Sequence, residues 1–375
     1  MDVKVGEKAK VGKRKNSSGE HPEGKKIKPE HEYERFEMEE NKVILLNKSL
    51  SNEYYHHYEY SIRTLEDLLL LGTFYTSTHY DKEKHTNIPF YNIHRLRKPI
   101  ERLLHMVGLE DLKKQLLSLC IFYLQRFDDG NQDMLHTVVY GGPGVGKTKF
   151  IGILSEIYAN LGVLPSRKVT FLKRADLVGQ YLGHTAVKTK QAIENAKGGI
   201  LVIDEAYSLG DTEQRDSFSR ECIDTLNQYL SEEKKDLVCV IAGYKEDLEK
   251  RFFKTNPGLE RRFPFKFTIP DYSAKQLKDI FHCIVKENGW NIEPNAIRED
   301  LLKEHRDCFP FNGGDMEVLF TKTKFIHSMR VFTEEKNKKK KITRDDFEKA
   351  VEEFTETDSQ RQRRETRDFI SSLYI

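Results

Sequence analysis

Long apolar runs are missing from this 375-residue chain. Without some 20 consecutive apolar residues no helix spans a bilayer, and the opening residues form no apolar leader, so no membrane contact is expected. Cysteine is scarce: the five, at 120, 222, 239, 283 and 308, show neither zinc-ligand nor disulfide-framework spacing. They read as reduced thiols of a soluble intracellular protein, cytoplasmic or nuclear. A dominant charge is absent too, since 62 Lys and Arg face 60 Asp and Glu. The chain as a whole is thus no polyanion magnet, and bulk charge gives nucleic-acid binding no support. His56 and His57 have no matching ligand pair and read as structural or exposed.

What is present divides the chain. Residues 1–35 are Lys, Glu, Gly and Pro with almost no large apolar side chains, a composition that predicts a disordered basic tail. Lys13-Arg14-Lys15 and Lys25-Lys26-Ile27-Lys28 have the spacing of a bipartite import signal, with a solvated tail as the simpler reading. Residues 36–98 form a small module of unassigned role, in which Thr64 to Gly72 predicts a short helix with its stop. Alternating strands and helices fill 99–270. A helical segment, 271–354, follows, with capping boxes at Ser273/Gln276 and Thr343/Asp346. Residues 355–375 form a polar tail with an apolar tip from Phe369 to Ile375.

The most informative stretch is Gly141-Gly142-Pro143-Gly144-Val145-Gly146-Lys147-Thr148. Its glycines permit positive φ and close approach, which frees backbone N–H groups to wrap a polyphosphate. Lys147 can reach the β and γ phosphates, and the Thr148 hydroxyl can ligate Mg²⁺. The context fits: an apolar strand, His136 to Tyr140, feeds the loop, and a helical pattern runs from it to Gly162. The helix start adds its positive end to the site, which also includes Lys149.

About sixty residues on, Ile200-Leu201-Val202-Ile203 reads as a buried parallel strand tipped by Asp204-Glu205. Neighbours at a strand end point different ways, so the acids can divide the work. Asp204 suits the Mg²⁺ water shell, and Glu205 suits activation of the attacking water. Phosphate loop and paired acids together predict ATP hydrolysis.

Around these motifs, Gly179 to Ala186, Gly199 to Leu209, Ile241 to Tyr244, and Asn256-Pro257-Gly258-Leu259-Glu260-Arg261-Arg262-Phe263-Pro264 resemble the CbxX/CfqX family of AAA+ ATPases, which includes CbbX-type and SpoVK-like proteins and versions from large DNA viruses. The resemblance spans about Ile100 to Val351. It implies a P-loop α/β ATPase subdomain with a helical lid, assembled as a homo-oligomeric, hexameric ring with ATP and Mg²⁺. It also places the backbone at Val107 and Gly108 over the adenine. Arg262 becomes a finger completing the neighbour's site, with Arg261 as fallback, and Tyr181-Leu182-Gly183 becomes a pore loop gripping an extended polypeptide.

Two departures stand out. After the fourth strand, where relatives often carry Asn or Thr, the chain reads Ala242-Gly243-Tyr244, which leaves the phosphate-sensing role to Tyr244 or to no side chain. The lid reads Asn312-Gly313-Gly314-Asp315 and lacks the second sensor arginine; Lys322 or Lys324, one or two helical turns later, are the candidate cations. The expected function is remodelling of a macromolecule, most directly a protein. A nucleic-acid motor and a nucleotide-gated scaffold are the alternatives.

Overall fold

A computed structural model describes residues 33–39, 42–47, 58–60, 62–75, 89–127, 134–181, 183–210, 216–232, 236–333 and 339–356. The basic tail up to residue 32, His56, His57, Leu182 and the apolar C-terminal tip lie outside the described residues. The chain separates into two compact units, Met1–Ser61 and Ile62–Ile375. The first contains an antiparallel meander of β1 (Tyr33–Glu39), β2 (Lys42–Asn47) and β3 (Tyr58–Tyr60), in the order β1-β2-β3.

The second unit opens with α1 (Leu65–Phe74), whose Thr64/Asp67 capping box fixes its start. The helix does not stop at Gly72, as the sequence suggested, but passes through it. A Cβ at Gly72 would lie 2.9 Å from Arg97 Cγ and 3.1 Å from the Ile93 carbonyl, so this glycine serves the approach of α1 to α2. α2 (Phe90–Leu104) buries Phe90, Ile93, Leu96, Ile100 and Leu103, and α3 (Glu110–Leu124) follows.

The alternating core then runs β4 (Thr137–Gly141), α4 (Lys147–Leu161), β5 (Val169–Leu172), α5 (Arg174–Leu177), α6 (His184–Ala196), β6 (Ile200–Asp204), α7 (Ser217–Glu232) and β7 (Val238–Gly243). Two short helices, α8 (Lys245–Asp247) and α9 (Pro257–Glu260), flank a widened π turn at Leu248–Phe253 and lead to β8 (Phe265–Ile269). The five strands pair in parallel in the order β5-β6-β7-β4-β8. β4, β6 and β7 are almost wholly buried, as their continuous apolar sequences require. Val138, Leu201, Ile203, Ile223, Ile241 and Phe252 belong to one buried cluster. In such sheets ligands bind beyond the carboxyl ends of the strands, and there Gly141 and Asp204 end β4 and β6.

A helical region follows: α10 (Ala274–Glu287), β9 (Asn291–Ile292), α11 (Glu299–Glu304), α12 (Gly313–Arg330), β10 (Lys341–Ile342) and α13 (Arg344–Thr355). Both expected capping boxes, Ser273/Gln276 and Thr343/Asp346, are formed. Phe281 packs edge-on against Phe320 and Phe347, which ties α10, α12 and α13 together.

Candidate active site

The loop between β4 and α4 places Gly144 at φ +68° and Gly146 at φ +94°, conformations that favour glycine. Gly144 has a second constraint, because a Cβ there would stand 1.8 Å from the Phe311 carbonyl oxygen. The lid backbone therefore rests directly on the loop. Lys147 Nζ donates to the carbonyls of Gly142 at 2.7 Å and Gly141 at 3.1 Å. Burial pushes its ammonium pKa down, while Asp204 and then Glu205 push it back up.

Beside this loop lies a cavity of about 500 Å³. His105, Met106 and Val107 bound it beyond the end of α2, and residues 144–149 and Asp204 supply its polar side. Ile280, Cys283, Ile284 and Glu287 of α10 and Gly313, Gly314 and Glu317 of α12 close it from the lid. One end is thus apolar and the other rich in loop N–H groups, a division suited to a flat base joined to phosphates. Val107, Gly144, Val145, Gly146, Lys147, Thr148, Lys149 and Asp204 all line it. Gly108, Gly142, Pro143, Glu205 and Tyr244 are not among its walls, and neither are Lys322 and Lys324. The Lys324 ammonium instead sits 4.6 Å from the Phe320 ring centroid.

Thr148 and Asp204 bring a hydroxyl and a carboxylate to one cavity, and these hard oxygen donors fit Mg²⁺, which keeps several waters and needs few protein ligands. Among the described residues no cluster of three His, Cys, Asp or Glu offers a competing metal cage. Glu205 is exposed at φ +52°, a left-handed conformation uncommon for a non-glycine residue, and its amide donates to Asp204 Oδ1 at 3.0 Å. Next to it Tyr207 packs 6.0 Å from Tyr244, centroid to centroid, and Lys147 Nζ lies 5.8 Å from the Tyr244 ring. Burial, then the neighbouring Glu205 carboxylate, pushes the Tyr207 phenol pKa up.

The remaining expected residues lie apart from the cavity. Arg262 Nε donates to the Asn227 carbonyl and to Ser231 Oγ of α7, and its Nη1 donates to the Gly258 carbonyl. Arg261 is exposed. Tyr181 is 66% exposed, so it is no core aromatic, and its ring meets the edge of His184 at 5.5 Å. Gly183, at φ +80°, leads from that loop into α6.

Sequence motifs gave no sign of one further group. Asn312, fully buried, donates from Nδ2 to Asp271 Oδ1 at 2.9 Å and to the Pro143 carbonyl at 3.4 Å. Its Oδ1 accepts from the Tyr272 amide and from Arg306 Nη2. Tyr272 reaches the other way, its hydroxyl donating to the Val145 carbonyl at 2.9 Å. Lid and phosphate loop are thus clasped by polar contacts. The clasp also accounts for Gly313, since a Cβ there would be 2.9 Å from the Gly144 carbonyl oxygen.

Comparison with known proteins agrees with this geometry. The profile of the AAA family, ATPases associated with various cellular activities, matches residues 137–271. A cfxQ-like protein of Acanthamoeba polyphaga mimivirus is 39% identical over 270 residues, 71% of this chain and 66% of that one. Stage V sporulation protein K of Bacillus subtilis is 36% identical over 219 residues, 56% of this chain and 67% of that one. The chloroplastic ribulose bisphosphate carboxylase/oxygenase activase of Cyanidioschyzon merolae is 34% identical over 197 residues, 51% of this chain and 67% of that one. This chain therefore spans about two thirds of the length of each. Matched over its sheet, its phosphate loop and its acidic strand end, the chain belongs to the CfxQ-like family of AAA+ ATPases.

Proposed function

We propose that this protein hydrolyses ATP as a ring and uses the cycle to draw a polypeptide past Tyr181. The observation that carries this reading is one cavity that gathers Lys147 and Thr148 of α4 and Asp204 of β6 with α10 and α12 of the lid, while Glu205 stands at the same strand end in a strained conformation. The base lies by Val107 and Gly108, and the N–H groups of Gly142, Gly144, Val145 and Gly146 hold the phosphates. Lys147 exchanges its loop carbonyls for the β and γ oxygens, so the desolvated ammonium meets its proper counter-charge. Mg²⁺, held by Thr148 and, partly through water, by Asp204, supplies charge neutralisation on the phosphates. Glu205 takes a proton from the water whose oxygen bonds to the γ phosphorus as the bond to the ADP oxygen breaks.

Arg262 serves the neighbouring subunit in this scheme. Its Nε and Nη1 are anchored at α7 and Gly258, which holds the guanidinium in place. The exposed aromatic Tyr181 offers contact area with little sequence preference, as a grip on an unfolded segment requires. Polypeptide is the favoured substrate class because one relative is named an activase of an enzyme.

The test is ATP binding and turnover on full-length protein. Lys147→Ala should abolish nucleotide binding, whereas Glu205→Gln should keep binding and lose turnover. Added unfolded polypeptide should stimulate the native protein. Stimulation by nucleic acid alone would replace this reading with a nucleic-acid motor, and tight binding without turnover would replace it with a nucleotide-gated scaffold.

A further inference from the structure

A second cavity, of about 310 Å³, is walled by His94, Arg95, Arg97, Lys98 and Glu101 of α2 and by Arg167 from the turn between α4 and β5. Four basic side chains face one carboxylate there. That carboxylate is committed only loosely, with Arg97 Nη2 3.7 Å from Glu101.

Two features separate this cluster from an ordinary solvated basic face. Asn160, 2% exposed, organises it: its Oδ1 accepts from Arg167 Nη2 at 2.7 Å and from Arg95 Nη2 at 3.5 Å, while its Nδ2 donates to the Arg95 carbonyl at 2.9 Å. Two guanidinium groups, 72 positions apart in sequence and self-repelling, are therefore fixed on one buried amide. In addition, Arg97 Nε is buried without an acceptor, and an N–H in that condition costs free energy until an acceptor arrives. No sequence motif marks the site, because Arg167 and Asn160 reach it from outside α2.

We propose that this cavity binds a compact anion carrying linked phosphate groups. Planar guanidinium forks from three arginines match tetrahedral oxyanions, which can accept several N–H groups at once, and the charge excess calls for a multiply charged ligand. The volume lies at the lower end of small-molecule pockets, which favours a small phosphorylated compound over a nucleic-acid strand tracked along a surface. The site is distinct from the ATP cavity, with which it shares no wall residue.

The test is a calorimetric titration of inorganic pyrophosphate into full-length protein bearing Lys147→Ala, which silences the phosphate loop. One pyrophosphate per chain is expected, and Arg97→Gln added to that background should weaken it about tenfold or more. Arg167→Gln, at an exposed position, should do the same and replaces Arg97→Gln if the latter lowers the melting temperature. Absence of pyrophosphate binding in the Lys147→Ala protein would overturn the proposal, as would binding indifferent to Arg167→Gln. A single-stranded RNA that binds through Arg167 where pyrophosphate does not would also overturn it.

Discussion

The amide of Gly313 donates to the carbonyl of Gly144 at 3.1 Å, which bonds the first residue of α12 to the middle of the phosphate loop. With Asn312 on Pro143 and Tyr272 on Val145, the lid touches three consecutive loop residues. A shift of the loop around phosphate must move these partners, and a shift of the lid must move the loop. One backbone bond and two side-chain bonds to loop carbonyls thus join lid and loop, none of them from a sensor arginine.

Asn312→Ala removes the buried amide that gathers Asp271, Tyr272, Arg306 and Pro143. Losing such a set costs on the order of 1–3 kcal/mol, so ATP affinity should fall about tenfold and amide exchange over residues 311–317 should quicken. Wild-type affinity together with wild-type exchange would show that the clasp couples nothing.

If Arg262 completes the neighbour's site, Arg262→Ala and Glu205→Gln subunits, each inactive alone, should recover partial turnover when mixed into one ring. Mixed interfaces then combine an intact acid with an intact arginine. Assemblies verified as mixed but still inactive would exclude the trans role. The same experiment with Arg261→Ala tests the exposed neighbour.

Tyr181 is not among the cavity walls, and it is largely exposed. Tyr181→Ala should therefore leave the melting temperature and basal ATP hydrolysis within a few fold of wild type while abolishing work on a polypeptide. Truncation of a buried aromatic would instead cost about 3–5 kcal/mol and damage both. Early melting with lost basal activity would make this tyrosine structural.

His136 makes stability pH-dependent. Its Nε2 donates to the Leu230 carbonyl at 2.9 Å and its Nδ1 accepts from the Cys239 amide at 3.0 Å, so a second proton has no acceptor. Burial drives its pKa down to about 4, with the Leu230 contact opposing and Arg262 assisting. The unfolded imidazole titrates near about 6.5, so this contribution is complete above that pH and is lost as pH falls from there towards 4. Across the window the loss is about 3 kcal/mol. Thermal melts of wild type and His136→Gln should converge in acid. Parallel melting curves at every pH would refute the linkage.

The sequence made the catalytic chemistry legible where it is contiguous. Gly141 to Thr148 and Ile200 to Glu205 each carry their own strand, turn and charge, so local spacing suffices. The capping boxes at Ser273 and Thr343 were readable for the same reason. Gly72 was misread because its purpose, the approach of Arg97 and Ile93, belongs to another helix. The clasp at Asn312 was invisible likewise, since each partner is an ordinary residue until the fold brings α12 over the loop. Gly313 stands in a segment notable in sequence only for lacking a sensor arginine, and in space its backbone sits close against Gly144.

Cys283 lines the cavity beside the phosphate loop and is half-buried, whereas the other four cysteines of the chain are buried. Burial and the adjacent Glu287 push its thiol pKa up, so it remains protonated at neutral pH and reacts slowly. An environment-sensitive dye attached there in mildly alkaline buffer would occupy a single address on α10. Bound nucleotide would shield that thiol from the reagent, so the rate of labelling itself measures occupancy in native protein.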